Sequence, residues 1–413
     1  MNNVEYATRQ SVAVLRMNNP PVNGLSFGLR YGLLQALDSA LADANVRAVV
    51  LMGSDSVFSA GADVREFGTP QAGMEPTLLS VIRAFDSSPK PVVAAIAGTC
   101  FGGGFELALG CHWRVAKADA SLGLPEVKLG LVPGAGGTQR LPRAIGLERA
   151  LNMIVAGDPQ PASAFAGTPL VDAIAEGELL PAAIAFAECV VGEGRPLRRL
   201  RDVKVDAVGA DAYLQFARNS VRGATKNLPA PLQCVEAIAA AVSMPFEEGL
   251  KFERTLFMQL MNSPESRALR HVFAAERAAG KIEGLPADTS ARAIRKVGVI
   301  GAGTMGTGIA MAFANAGFAV VVLETNQEAL DRGMANVRKT YESSLKKGKL
   351  GQEQFDKRIA SIKPTLSYDD FRDADLVIEA VFESMEVKQQ VFEKLDALAK
   401  PGAILASNTS ALD

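Results

Sequence analysis

Gly98-Thr-Cys-Phe-Gly-Gly-Gly-Phe-Glu-Leu-Ala-Leu-Gly110 is the stretch from which the fold of this chain is best read. Three successive glycines, Gly102 to Gly104, open an apolar run that carries one carboxylate, Glu106. Phe105, Leu107, Ala108, Leu109 and Cys111 give the run helical character and leave little room for water. A glycine-rich entry leaves backbone N–H groups bare, and the first N–H groups of a helix have no partner inside it. They face whatever anion or carbonyl oxygen lies in front, with the positive end of the helix dipole behind. The stretch reads as half of an oxyanion hole with an acid–base residue on its first turn.

Working outward, the buried strand Pro91-Val-Val-Ala-Ala-Ile96 delivers the chain to the glycines, and Ala120-Ser-Leu-Gly-Leu-Pro-Glu-Val127 follows with a second carboxylate, Glu126. Further back, residues 11–17 predict an opening strand, 28–42 a helix with leucines on one face, and 47–52 a buried strand. Phe58-Ser-Ala-Gly-Ala-Asp63 is an exposed turn of small residues, and 65–77 predict a mobile loop. Strands alternating with helices argue an α/β domain. Beyond the loop Val132-Pro-Gly-Ala-Gly-Gly-Thr-Gln-Arg-Leu-Pro142, residues 145–245 are mostly alanine-rich helix. Residues 247–279 predict two helices split at Ser263-Pro264, and 284–290 the best linker in the chain.

After the linker, Lys296-Val-Gly-Val-Ile-Gly301 is a buried strand running into Gly301-Ala-Gly303-Thr-Met-Gly306 and a helix over 307–316. A second strand, 318–323, ends on Glu324, 23 residues beyond Gly301. This is a βαβ dinucleotide-binding fingerprint in its required context: the glycines admit the pyrophosphate, and the acid accepts from the ribose hydroxyls. Its charge favours NAD over the 2′-phosphorylated form. A strand over 374–379, a helix near 385–398 and a strand over 403–406 continue the sheet.

Composition bounds the rest. The chain has 413 residues, 48% of them apolar, enough for two or three domains. No uninterrupted apolar run reaches the length of a membrane span, and the first residues lack a signal peptide's basic and apolar regions. A net charge of −2 with the signs interspersed points away from nucleic acid as a partner. Four widely spaced cysteines fit a reducing cytosol, and two histidines, His112 and His271, exclude a histidine-rich metal site, so no metal is expected.

Two backbone donors near a carbonyl stabilise an enolate, each lost donor costing on the order of 3 kcal/mol. Gly103 and Ala62 are the candidate donors. Glu106 and Glu126 can then share one water: one takes or orients its proton, while the other, kept protonated by an apolar pocket, protonates carbon. That suits water addition to a double bond conjugated with a thioester.

Ser59-Ala-Gly-Ala-Asp63, Gly102-Gly-Gly-Phe-Glu106, Gly123-Leu-Pro-Glu126 and 133–142 resemble the enoyl-CoA hydratase/isomerase (crotonase) family. With the second half, the whole chain is similar to multifunctional β-oxidation enzymes that join this hydratase to an NAD-dependent 3-hydroxyacyl-CoA dehydrogenase. The resemblance implies a crotonase-type spiral of ββα units over 1–195, a helical extension and linker over 196–290, and an incomplete Rossmann-type NAD-binding domain over 291–413. It implies Glu106 and Glu126 as the catalytic pair, with the amides of Ala62 and Gly103 as the oxyanion hole. The substrate would be a coenzyme A thioester, hydrated without a cofactor, with 3-enoyl to 2-enoyl isomerisation through Glu126. In the second half Gly301, Gly303, Met305, Gly306 and Glu324 match the NAD loop and ribose ligand of the family. Val381, Phe382, Glu383, Lys388 and Ser410 match further cofactor and catalytic-side positions. The catalytic histidine of the family lies beyond the match to Ser410, so NAD contacts are expected without dehydrogenation. The resemblance leans to a monomer, and to a bacterial-type cytoplasm first, with a peroxisome the alternative if the source is eukaryotic.

Simpler readings accompany each of these. Glu106 could be a helix-dipole carboxylate, Asp63 a turn residue aiming Ala62, and Arg65 and Lys90 solvated charge rather than ligands for coenzyme A phosphates. Cys111-His112 predicts packing rather than a ligand pair, and His271 a face residue. Rival functions are a pure isomerase needing one glutamate, a catalytically silent acyl-CoA or NAD binding module, and thioester hydrolysis.

Overall fold

The computed structural model describes residues 3–412 other than 226, 227, 281, 283 and 287. The chain divides into two compact units, Met1–Ile282 and Glu283–Asp413. In the first unit the described strands are β1 (Val4–Arg9), β2 (Val12–Met17), β3 (Ala48–Met52), β4 (Val57–Ser59), β5 (Val92–Ile96), β6 (Thr99–Phe101), β7 (Trp113–Ala116), β8 (Ser121–Gly123), β9 (Gln160–Pro161) and β10 (Ala173–Ile174). They form a sheet ordered β1-β2-β3-β5-β7-β10 and a second ordered β4-β6-β8-β9.

A ββα rhythm generates both sheets. β3, β5 and β7 lie side by side and parallel, and each passes its chain to a short strand of the second sheet. Those short strands, β4, β6 and β8, are again parallel neighbours. Each ends in a helical segment: Val64–Glu66, Gly103–Gly110 and Pro125–Leu129. Three loops that leave the carboxyl ends of adjacent parallel strands must emerge next to one another. This is the spiral that the sequence resemblance implies.

Strand alternation sorts the core onto two faces. Ala13, Leu15, Val49, Leu51, Ala94 and Ile96 pack into the main core with the helices Phe27–Ala42 and Leu78–Asp86. Val12, Val14, Val50, Val93 and Val115 face Ala183, Ala187 and Val190 of the helix Leu179–Gly192. With both faces covered, the central strands read as nearly continuous apolar runs.

The strand expected at 11–17 is preceded by β1, which sequence reading missed. Only Val4 of β1 is buried, so it shows none of the apolar alternation of a core strand. The expected loop at 65–77 contains the short helix Pro70–Gly73 and is tied down by Arg30. Its guanidinium meets Glu66 at 2.9 Å and donates to the carbonyls of Gln71 and Pro76. The helix pair split at Ser263-Pro264 is present as Phe246–Met261 and Pro264–Ala279, with Ser263 capping the second.

The second unit holds five parallel strands, β11 (Lys296–Ile300), β12 (Ala319–Leu323), β13 (Ile362–Thr365), β14 (Leu376–Glu379) and β15 (Ile404–Ser407). Their order, β13-β12-β11-β14-β15, reverses direction between β11 and β14, the place where doubly wound sheets bind ligands. The helices Gln327–Lys346 and Gln352–Ala360, left unread in the sequence, bridge β12 to β13.

Candidate functional site

The three adjacent loops of the first unit carry Ala62 after β4, Gly103 after β6 and Glu126 after β8. Gly61, at φ +105°, turns the chain so closely that a Cβ there would sit 3.2 Å from the Gly103 nitrogen. A Cβ on Gly103 would in turn sit 3.2 Å from the Ala62 nitrogen. The two amides are therefore neighbours, and among the described residues neither has a hydrogen-bond acceptor. Gly103 is the first residue of its helix, so the helix supplies none. Asp63 accepts from the Arg65 N–H and pairs with its guanidinium, which holds the turn as expected.

Glu106 sits on the first turn of the helix Gly103–Gly110 and is buried. Its Oε1 accepts from the Ala135 N–H at 2.7 Å and the Gly137 N–H at 2.8 Å. Burial raises its pKa, while those two bonds and the charges of Arg140 and Arg254 pull the other way. Glu126 differs. Its Oε2 is shut off from solvent without a hydrogen bond, and burial, then the Glu106 charge, push its pKa well up. One carboxyl has donors that favour its ionised form; the other has a setting that favours its protonated form.

Sequence reading missed a third carboxyl, Glu253, on the helix Phe246–Met261. It is fully buried, accepts from the Gly136 N–H at 2.7 Å and the Thr138 N–H at 2.9 Å, and meets the Thr138 hydroxyl at 2.6 Å. The one signal available was positional: Glu253 falls on the helix's buried stripe with Leu250, Leu256 and Leu260, where a charge is costly. Arg114 was missed as well. It is fully buried, and its guanidinium donates to the carbonyls of Ala108 and Cys111 at the end of the Glu106 helix and to Leu170 and Pro169. Burial lowers its pKa to about 10.

Lys90 is not a free surface charge; its Nζ donates to the carbonyls of Ala40 and Asp43 at the end of a helix. His112 accepts from the Val92 N–H in the core, where burial lowers its pKa to about 4, and His271 is exposed.

In the second unit Gly301 adopts φ +102°, where a Cβ would lie 2.5 Å from the Ala380 carbonyl oxygen. A Cβ on Gly306 would lie 1.8 Å from the Gly301 oxygen, so only glycine lets the helix approach the strand. The space in front of Gly303 is open, and Met305 is exposed. Glu324 Oε2 accepts from the Ala302 N–H at 2.9 Å; burial raises its pKa, but bonds from Ala302 and Thr325 outweigh this and lower it. Across the reversal in strand order lie half-buried Val381 and exposed Phe382, Glu383 and Ser410. Lys388 is buried, 2.7 Å from Glu379 and 3.2 Å from Glu383. Open space before the second glycine, bare helix amides and an acid at the end of β12 fit a dinucleotide.

The family described as enoyl-CoA hydratase/isomerase matches residues 7–202, and 3-hydroxyacyl-CoA dehydrogenase, NAD binding domain, matches residues 296–413. A peroxisomal bifunctional enzyme of Danio rerio is 40% identical over 411 residues, covering 98% of this chain and 56% of the relative. Its counterpart in Homo sapiens is 41% identical over 412 residues, with coverage of 98% and 56%. The glyoxysomal fatty acid beta-oxidation multifunctional protein MFP-a of Brassica napus is 38% identical, covering 97% and 57%. The chain thus spans about half the length of the curated relatives it matches. Among solved structures, carnitinyl-CoA hydratase from Mycobacterium avium is similar over 67% of this chain and 97% of its own, at 26% identity and TM-score 0.48. The (S)-3-hydroxybutyryl-CoA dehydrogenase of Ralstonia eutropha is similar over 29% and 42%, at 39% identity and TM-score 0.29.

Proposed function

We propose that this chain, which belongs to the enoyl-CoA hydratase/isomerase family and carries a 3-hydroxyacyl-CoA dehydrogenase NAD-binding domain, reversibly hydrates trans-2-enoyl-CoA to 3-hydroxyacyl-CoA in fatty acid β-oxidation. One observation carries the reading: two unpartnered amides, of Ala62 and Gly103, adjoin two carboxyls held in opposite settings. The amides grip the thioester oxygen as it gains charge. Glu106, supplied with donors, takes a proton from water as the water oxygen bonds to C3. Glu126, whose Oε2 has no donor, gives its proton to C2, and solvent exchange restores both groups. Run through Glu126 alone, the same chemistry moves a 3-enoyl double bond to the 2-position.

Residues 1–195 are assigned the hydratase and 196–290 its helical extension. In residues 291–413, Gly301, Gly303, Met305 and Gly306 would admit the pyrophosphate and Glu324 would hold the ribose. Bound NAD would supply a hydride acceptor for a 3-hydroxyacyl group. Val381, Phe382, Glu383, Lys388 and Ser410 would line the other side of that crevice. A monomer is the proposed working unit. The relatives' names support the peroxisomal location.

The test is the loss of enoyl absorbance with trans-2-enoyl-CoA and identification of the product. A 3-hydroxyacyl-CoA upholds the reading; free thiol, isomerised enoyl-CoA alone or unchanged substrate rejects it.

A further inference from the structure

The loop 135–138 is claimed by two carboxyls from distant parts of the chain. Its amides alternate: Ala135 and Gly137 donate to Glu106, while Gly136 and Thr138 donate to Glu253. Glu253 stands 117 residues from Gly136 in sequence, on a helix outside the ββα spiral. Neither carboxyl makes a salt bridge among the described residues, so these amides are the main polar partners of both. Consecutive peptide planes share a Cα, so turning one toward an acid narrows the directions open to the next. Gly136, at φ +103°, allows the reversal, and a Cβ there would meet the Arg140 guanidinium at 2.1 Å.

We infer that Glu253 is a positioning residue for Glu106: by holding the Gly136 and Thr138 amides it aims the Ala135 and Gly137 amides at the Glu106 carboxylate. This rests on the hydratase reading above for its consequence in catalysis, but not for its geometry. Removing Glu253 frees the loop and Glu106 loses donors that favour its ionised form, which raises its pKa; the lost like charge of Glu253 works the other way but is small below about pH 8, where burial keeps Glu253 protonated. Glutamine is not a neutral replacement, because its NH₂ would face one of two N–H donors. The groups facing Glu253 and Glu106 are each other, Glu126, Arg140 and Arg254, and the Thr138 hydroxyl.

The test uses the full chain with Glu253→Gln, and Thr138→Val as a milder variant that removes one contact to Glu253. Hydration kcat is expected to fall at least tenfold in Glu253→Gln with KM within twofold, and the rising limb of the pH profile to move to higher pH. The Glu106 titration is followed independently by difference infrared spectroscopy of its protonated carboxyl, assigned by its loss in Glu106→Gln. It should move up in both variants even if the chain hydrates nothing, so a failed hydratase reading leaves this test intact. If Glu253→Gln does not fold, Thr138→Val carries the measurement. An unmoved Glu106 titration, or a lower Tm with wild-type kcat and limb, makes Glu253 merely structural and overturns the inference.

Discussion

Glu126 Oε1 lies 3.1 Å from the point where a side chain on Gly102 would begin. Gly102 also adopts φ +51° and ψ −130°, a conformation that residues with a Cβ enter under strain. The glycine run thus makes room for an acid that arrives 24 residues later in the chain (126 − 102). Gly102→Ala should cost about 1–3 kcal/mol of backbone strain and displace the Glu126 carboxyl. Hydration kcat should fall at least ~10-fold, beyond what lost stability explains, since a 1.4 kcal/mol barrier change is tenfold. Thermal unfolding and kcat measured on the same sample separate the two; an alanine variant with wild-type kcat would refute the close approach.

The two glutamates should separate by reaction. Glu106→Gln and Glu126→Gln are each expected to lower hydration by roughly 10²–10⁴-fold, the usual contribution of a positioned acid or base. Conversion of 3-enoyl to 2-enoyl substrate should survive better in Glu106→Gln, because the proposed isomerisation runs through Glu126 alone. Product analysis of both variants on both substrates checks this. Equal loss of isomerisation in the two would reject the division of labour.

Activity should be bell-shaped in pH. The proposed hydration needs Glu106 ionised and Glu126 protonated, and burial raises both above the ordinary 4.5, Glu126 more. kcat/KM therefore rises as Glu106 loses its proton and falls when Glu126 does, with apparent values that belong to the pair. In Glu126→Gln the falling limb should vanish from the residual activity. A falling limb that persists there would assign it elsewhere.

Stability should fall as pH rises across the same range. Glu106, Glu126 and Glu253 hold protons more tightly folded than unfolded. The unfolded chain then binds fewer protons above the ordinary 4.5, and the slope of stability with pH is negative. For Glu253 this window runs from 4.5 to about 8. Denaturant titrations of the first unit at pH 5 and pH 8 should give the lower midpoint at pH 8, and the reverse order would contradict these burial effects.

Gly306 should tolerate no side chain. The Gly301 oxygen lies 1.8 Å from its Cβ position, and backbone at both ends leaves nothing flexible to yield. Gly306→Ala should abolish NAD binding measured by calorimetry, while Glu324→Ala, which keeps the glycines, should weaken it by roughly tenfold, the worth of about one charge-assisted bond. Unchanged affinity in Gly306→Ala would place the cofactor elsewhere.

Much of this was legible along the chain. The ββα rhythm, the glycine run before Glu106, the Leu-Pro-Glu approach to Glu126 and the strand–glycine–helix order before Glu324 are local patterns. Their chemistry follows from neighbours a few residues apart. β1 was missed because its side chains carry no core-facing alternation, and the turns at 64–73 because Arg30, 34 residues before Val64 (64 − 30), holds them.

The sequence by itself determined which residues are candidates for the proposed chemistry: bare amides at a glycine entry, two acids in apolar settings and an acid after a glycine loop. Only the tertiary structure gave the two acids different settings, one with amide donors and one with an undonated, buried oxygen. The Ala135 and Gly137 amides turn toward Glu106 and none reaches Glu126 Oε2, and a buried Glu253 from a remote helix shares the same loop. Hydrogen-bond donors act over about 3 Å, and separation along the chain says nothing about distances of that size.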